Sequence, residues 1–183
     1  MKIEIPKSKA SRLVNAGGVI LVTSSYKDKN NIITLAWHTP ISRDPALLGI
    51  AIAKSHLSYE LIKKSEEFII NIPSIDILKQ VVFCGSISGN KIDKFKESKL
   101  TAEKAAQLIK TPIIKECIGH IECSLRDIKD IGDHGLFIGE AVYASAEEGL
   151  FDETWQINKT KLIFHLGGDL FTTNTEKINI PKY

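Results

Sequence analysis

The sequence predicts a mainly β fold, a closed or nearly closed β-barrel with flanking helices packed on its outside. Three observations carry that expectation. The first half of the chain holds four short apolar or β-branched runs, each ended by a turn signal. The second half holds two long extended runs joined by a loop rich in turn residues. Helical patterns are few and short, and no repeat, low-complexity tract or Pro/Gly/Ser linker divides the 183 residues, so a single domain over 1–183 is expected.

The early strands are Val19–Ser24, Ile32–Trp37 and Leu47–Ala53, separated by the polar turns Lys27–Asn31 and Ser42–Pro45. A fourth, Glu67–Ile72, stops at Pro73. Between the last two a helix is expected, with Ser55 as N-cap, Glu60 near its start and Leu57, Leu61 and Ile62 on its apolar face. A second helix is expected over Ile75–Val82, opening after Ser74 with Asp76 in its first turn. A third covers Ala102–Ile109, opening after Thr101 and ending before Pro112. The hairpin pairs Ile118–Ile128 with Leu136–Ser145 across Asp130–Gly135. A short apolar run, Lys161–Leu166, then precedes Gly167-Gly168.

Apolar residues make up 43% and charged residues 25%, ordinary for a globular protein. With 24 basic against 22 acidic side chains the net charge is +2. That balance argues against nucleic acid as a partner but leaves room for a local basic pocket. No run approaches the ~20 apolar residues of a membrane helix. Lys2, Lys7, Lys9 and Arg12 precede the apolar run Gly18–Val22, which is too short for a secretory signal and ends like a strand. A cytoplasmic protein without membrane contact is expected. Cys84, Cys117 and Cys123 form no CxxC pair and are expected as buried, reduced thiols, the last two on one strand. The histidines (His38, His56, His120, His134, His165) lack ligand spacing, so no metal site is expected.

Three segments offer anion or ring contacts. In Lys54–Glu60, a helix capped by Ser55 leaves first-turn N–H groups free, and Lys54, Ser55 and Ser58 add a charge and hydroxyls. The same residues also read as a plain helix cap with a surface lysine. In Asn31–Trp37, Thr34, Ala36 and His38 form a small or polar face on which a flat heterocycle can lie, the alternative being a half-exposed strand with Trp37 in the core. In Ser88–Phe95, Gly89 permits close backbone approach and Lys94 supplies an ammonium, the alternative being a solvated Asp93-Lys94 pair. His134, beside Asp133 in a tight loop, has a side chain suited to proton transfer near neutral pH, or else forms a structural pair with the aspartate.

Taken in order, five motifs resemble the flavin reductase-like, FMN-binding split-barrel family, flavoredoxin-type proteins above all. They are Asn31-x-x-Thr34-x-x-Trp37, Ser55-His56-x-Ser58-Tyr59-Glu60-Leu61-Ile62, Glu67-Phe68-Ile69-Ile70-Asn71-Ile72-Pro73, Ser88-Gly89-x-x-x-Asp93-Lys94-Phe95 and Gly132-Asp133-His134-x-Leu136-Phe137-Ile138-Gly139-Glu140. The resemblance runs from about Val19 to about Ala144. It implies an FMN-binding split β-barrel, a homodimer with FMN near the subunit interface. By matching position it places Asn31, Thr34, Ala36 and Trp37 along the isoalloxazine ring. It places Lys54, Ser55, His56 and Ser58 at the ribityl phosphate, with Ser88, Gly89 and Lys94 closing over it. The segment around His165 and Gly167 contacts the ring or the partner subunit.

The resemblance implies an FMN-dependent oxidoreductase, fed by NAD(P)H or by a reduced protein partner and passing electrons to flavin, ferric complexes or another acceptor. With no GxGxxG strand–turn–helix unit, a nicotinamide must bind on the flavin face. The alternatives are a non-enzymatic flavin-binding or electron-carrier module and an oxidase of the pyridoxamine-phosphate-oxidase kind. Only three arginines (Arg12, Arg43, Arg126) are present to build the second phosphate clamp of that oxidase.

Overall fold

The computed structural model describes residues 6, 11, 13, 14, 17–108 and 110–178. The basic residues Lys2, Lys7, Lys9 and Arg12, and Ile109 at the end of the third expected helix, lie outside the described residues. In chain order the elements are β1 (Gly17–Gly18), β2 (Ile20–Tyr26), β3 (Lys29–Leu35), β4 (His38–Arg43), β5 (Ala46–Ala53), α1 (Leu57–Ser65) and β6 (Glu67–Ile72). They continue with α2 (Leu78–Ser86), α3 (Lys94–Ser98), β7 (Ala102–Glu103), β8 (Ile113–Ile114), β9 (Gly119–Ile131) and β10 (His134–Ala146). The last are β11 (Phe151–Asp152), β12 (Thr154–Trp155), β13 (Ile163–Gly167) and β14 (Leu170–Thr173). Among the described residues no helix is long and apolar enough to cross a membrane.

Seven antiparallel strands form the main sheet in the order β3-β2-β6-β9-β10-β5-β4. Its two edge strands are consecutive in sequence, joined through Ala36-Trp37, and Ala51 N–H donates to Trp37 O at 3.0 Å beside this junction. The sheet therefore curls until its edges meet, as the sequence anticipates for a barrel. Strand alternation sorts the core. Ile20 and Val22 of β2, Ile33 and Leu35 of β3, Ile50, Ile52, Phe68, Ile70 and Phe137 form one cluster, joined by Tyr59 and Ile62 of α1. Leu21 and Ile32, one residue out of phase, face a second cluster built from α2, α3 and β13 through Val81, Cys84, Phe95 and Ile163. Strands β2 and β3 are thus buried on both faces, which explains their apolar, unpatterned look.

Where the structure departs from the sequence reading, tertiary contacts supply the reason. No helix forms over the described residues 102–108: Ala102–Glu103 pairs with Ile113–Ile114. The backbone N–H groups of Ala106, Gln107 and Leu108 donate instead to the Glu122 carboxylate at 2.7–2.8 Å, and those of Lys110 and Thr111 to Glu67 at 2.9 and 2.7 Å. The buried Glu122 of β9 therefore takes donors a helix would have used, and the buried Glu67 of β6 holds the residues that follow. The second helix starts with a single 3₁₀ turn, Ile75–Ile77, and runs on as α2 to Ser86. Helix α3 is unanticipated; Asp93 caps it, accepting from Lys96 N–H at 3.2 Å.

Ser55 is not the cap of α1. That position belongs to His56, whose side chain makes no capping bond, because a tight turn closes from His56 N–H to Ala53 O at 3.0 Å. Nor do Cys117 and Cys123 share a strand. Cys117 lies in the turn before β9 and packs into the second cluster, whereas Cys123 packs into the first. All three thiols are buried and unbridged. Burial raises each thiol pKa, that of Cys123 to about 12, so none is a ready nucleophile.

Candidate functional site

The site grows from the seam between β3 and α2. Thr34 Oγ1 donates to Val81 O at 2.7 Å, and a Cβ on Gly85 would sit only 3.2 Å from Thr34 Cβ, so helix and strand run in close contact. Two adjoining cavities open over this seam, of about 460 and 250 Å³. Thr34, His56, Gly85 and Ser86 line both, which makes them two lobes of one groove.

The larger lobe is a slot. Its lining includes Ala36, Ala51 and Ala53, small residues from the β3–β4 junction and β5. Trp37 with His134, ring centroids 5.0 Å apart, and His165 with Phe171, at 5.1 Å, give it aromatic walls. Trp37 remains 45% exposed, so it walls the slot instead of filling the core. Small side chains between aromatic walls suit a planar heterocycle.

The turn that carries His134 is held at several points. Tyr59 Oη donates to Asp130 Oδ1 at 2.6 Å, and Lys54 N–H donates to Asp133 O at 3.0 Å. Gly132 supplies the left-handed backbone (φ +59°) the turn needs. His134 Nδ1 then meets Asp133 Oδ1 at 2.7 Å. With Nδ1–H donated to the carboxylate, Nε2 is the ring atom left for the slot. The hydrogen bond from His134 holds the Asp133 carboxyl below its usual range, and that from Tyr59 does the same for Asp130.

The smaller lobe carries polar donors. Asn31, Ser88, Gly89 and Lys94 line it, beside Leu57. Lys94 is only 5% exposed, and its Nζ donates to Ile32 O at 2.7 Å and Cys84 O at 2.5 Å, leaving one N–H for the lobe. It is not the solvated partner of Asp93. Burial depresses its pKa. His56 stands between the lobes; desolvation first, then the positive charges of Lys94 and His134, lower its pKa. Lys94 and the two imidazoles thus stand along the groove, and the buried Lys94 ammonium is the charge it offers an anion. Asn31 Oδ1 is buried without a partner among the described residues. A Cβ at Gly89 would overlap that oxygen and come 3.2 Å from Leu57 Cδ2, so only glycine lets the backbone lie this close to Asn31.

Of the residues singled out from sequence, Thr34, Ala36, Trp37, His56, His134 and His165 line the larger lobe, and Asn31, Thr34, His56, Ser88, Gly89 and Lys94 the smaller. Asn31 therefore sits with the anion donors and apart from Trp37. The Thr34 hydroxyl proton is committed to Val81 and can only accept from a ligand. Lys54, Ser55 and Ser58 line neither lobe. Lys54 Nζ pairs with Asp130 at 3.8 Å, Ser55 is exposed, and Ser58 is fully buried against Ser24 and Asn31. Neither Arg43 nor Arg126 reaches the groove. Gly85, Ser86 and Phe171 escaped the sequence reading; a glycine directly after the apolar run Val81–Cys84 was the available sign of close backbone approach. No cluster of metal-ligating side chains occurs among the described residues.

Comparison with known proteins adds a family. Residues 12–168 match the flavin reductase like domain. An uncharacterised protein of Pyrococcus abyssi is 34% identical over 167 residues, 91% of this chain and 95% of its own length. A flavoredoxin from Methanosarcina acetivorans shares the fold with a TM-score of 0.84 and 26% identity, over 98% of this chain and 95% of that one. An FMN-binding protein from Thermus thermophilus, solved with bound p-hydroxybenzaldehyde, gives a TM-score of 0.80 at 25% identity over 90% of each chain.

Proposed function

The chain belongs to the flavin reductase-like domain family, and from that premise we propose that it binds FMN in the two-lobed groove and works as an oxidoreductase. The carrying observation is the pairing of an aromatic-walled slot lined by small residues with a lobe that holds a buried ammonium. A flavin monophosphate has the same two ends. Lys94, Asn31, Ser88 and the backbone at Gly89 hold the phosphate, and Thr34, Ala36, Trp37 and His165 flank the ring. Bound FMN supplies hydride and electron transfer. The chain's part is to orient the ring, to shield it from water with Trp37 and Phe171, and to present a proton-transferring nitrogen, His134 Nε2, at the slot wall.

The electron donor in this reading is NAD(P)H or a reduced protein partner, entering over the exposed side of the larger lobe. The chain is one domain in this reading and forms a homodimer. Leu166 and Leu170, which flank the groove-lining His165 and Gly168, are exposed as Trp37 is, and a second copy covering them would bury apolar surface at the mouth. Three buried, unbridged thiols fit a reducing, cytoplasmic setting. Purified protein should be yellow or take up FMN in a titration, and anaerobic NADH or NADPH should bleach it. Failure to bind FMN overturns the reading; FMN binding without bleaching leaves an electron carrier served by a protein partner.

A further inference from the structure

A buried hydrogen-bond relay that the flavin reading does not by itself require reaches the smaller lobe through Asn31. Ser24 and Ser58 are fully buried and Asn31 is 3% exposed. Ser24 Oγ lies 3.2 Å from Ser58 Oγ, and Ser58 Oγ lies 2.9 Å from the Asn31 amide. With Asn31 Nδ2 toward Ser58, the Ser58 oxygen receives two donors while Asn31 Oδ1 faces Gly89 with no donor among the described residues. The two ends of a carboxamide fill the same space, so the hydrogen-bond network decides which faces which way. Turned over, Asn31 Oδ1 accepts from Ser58, Ser58 still accepts from Ser24, and every buried oxygen in the relay is satisfied. The NH₂ group then faces the lobe beside Gly89 and the spare N–H of Lys94.

We propose that Ser24 and Ser58 lock the Asn31 amide with its NH₂ toward the smaller lobe, making Asn31 the residue that selects a flavin carrying a phosphate monoester over one without it. The proposal rests on the flavin reading and deepens it. An amide oxygen facing the lobe would repel phosphate, whereas two amide hydrogens beside an ammonium complement it. Ser58 acts through Asn31 and is a positioning residue.

The test is a fluorescence titration of the flavin-free full chain with FMN and, separately, riboflavin, in wild type, Asn31→Asp, Ser58→Ala and Ser58→Thr. Both flavins use the same ring slot, so the ratio of their affinities reads the phosphate lobe alone. Asn31→Asp should weaken FMN by roughly 30-fold or more while riboflavin changes less than about threefold, as expected when a charge-assisted bond becomes a repulsion. Ser58→Ala should lower the FMN-to-riboflavin ratio about five- to tenfold, and Ser58→Thr, which keeps the hydroxyl, should restore it. The Asn31 side-chain amide proton signals of isotope-labelled wild type should also shift on adding inorganic phosphate. Equal effects on both flavins in Asn31→Asp and Ser58→Ala, or an unmoved Asn31 amide, overturn this proposal and leave the flavin reading standing. A wild type that binds neither flavin overturns the flavin reading itself.

Discussion

Lys94 Nζ lies 2.7 Å from the carbonyl oxygen of Ile32, a hydrogen bond between an enclosed ammonium and the middle of a buried strand. Among the described residues no carboxylate pairs with it. A buried cation without a counter-charge is costly in isolation, and its depressed pKa reflects that. An anion in the adjoining lobe compensates it.

Replacing Lys94 with methionine should therefore separate folding from binding. The flavin-free variant should be within about 1 kcal/mol of wild-type stability, since the desolvated charge leaves with the side chain. Its FMN affinity should fall by ~1.5–3 kcal/mol, the range for a lost charge-assisted bond. Paired denaturant melts and FMN titrations measure both quantities. Unchanged FMN affinity would move the phosphate elsewhere.

His134 lends itself to a different separation. The Asp133 carboxylate and the Trp37 ring hold its ring at the slot wall. His134→Gln should slow NAD(P)H-driven flavin reduction roughly 100-fold, the lower range for loss of a general acid or base. FMN affinity should stay within about threefold. Stopped-flow reduction beside equilibrium titration distinguishes this from a purely structural role, which would leave turnover at the wild-type rate.

Proton uptake should accompany FMN binding. In the flavin-free protein, desolvation and then the charges of Lys94 and His134 hold the His56 pKa below 6.5. A bound phosphate opposes those charges and raises it. Between the lowered and the raised value the complex carries more protons than the free protein, so FMN binding tightens as pH falls through that interval. Calorimetry at and below pH 6.5 in two buffers of different ionisation heat should show the uptake, and His56→Gln should diminish it. Identical uptake in the variant would clear His56 of the effect.

Glu122 offers a test of the fold apart from the site. Its buried carboxylate accepts three backbone N–H groups from residues 106–108. Glu122→Ala strands those donors and should cost about 3 kcal/mol or more, with Glu122→Gln between it and wild type. Urea melts give the ordering, and hydrogen exchange at residues 106–108 should quicken first. Equal stability of all three proteins would mean that water replaces the carboxylate without loss.

Sequence alone determined the strand-rich architecture and the long hairpin. Apolar runs bounded by turn residues report strands directly, and the Asp130–Gly135 turn sits between the two longest of them. Thr34, Ala36, Trp37 and His134 stood out by their motifs, and the folded chain brings all four to the lining of the larger lobe. Tertiary structure decided the rest. Ala102–Ile109 carries a helix-like start, yet Glu122, on a strand that follows it, takes the backbone donors of residues 106–108. Ser58 turns inward because Ser24 and Asn31 await it, and Lys94 is buried because two carbonyls from other elements do. Local patterns encode which conformation a segment prefers; where a buried polar group finds its partner depends on which chain returns beside it, and only the folded arrangement specifies that.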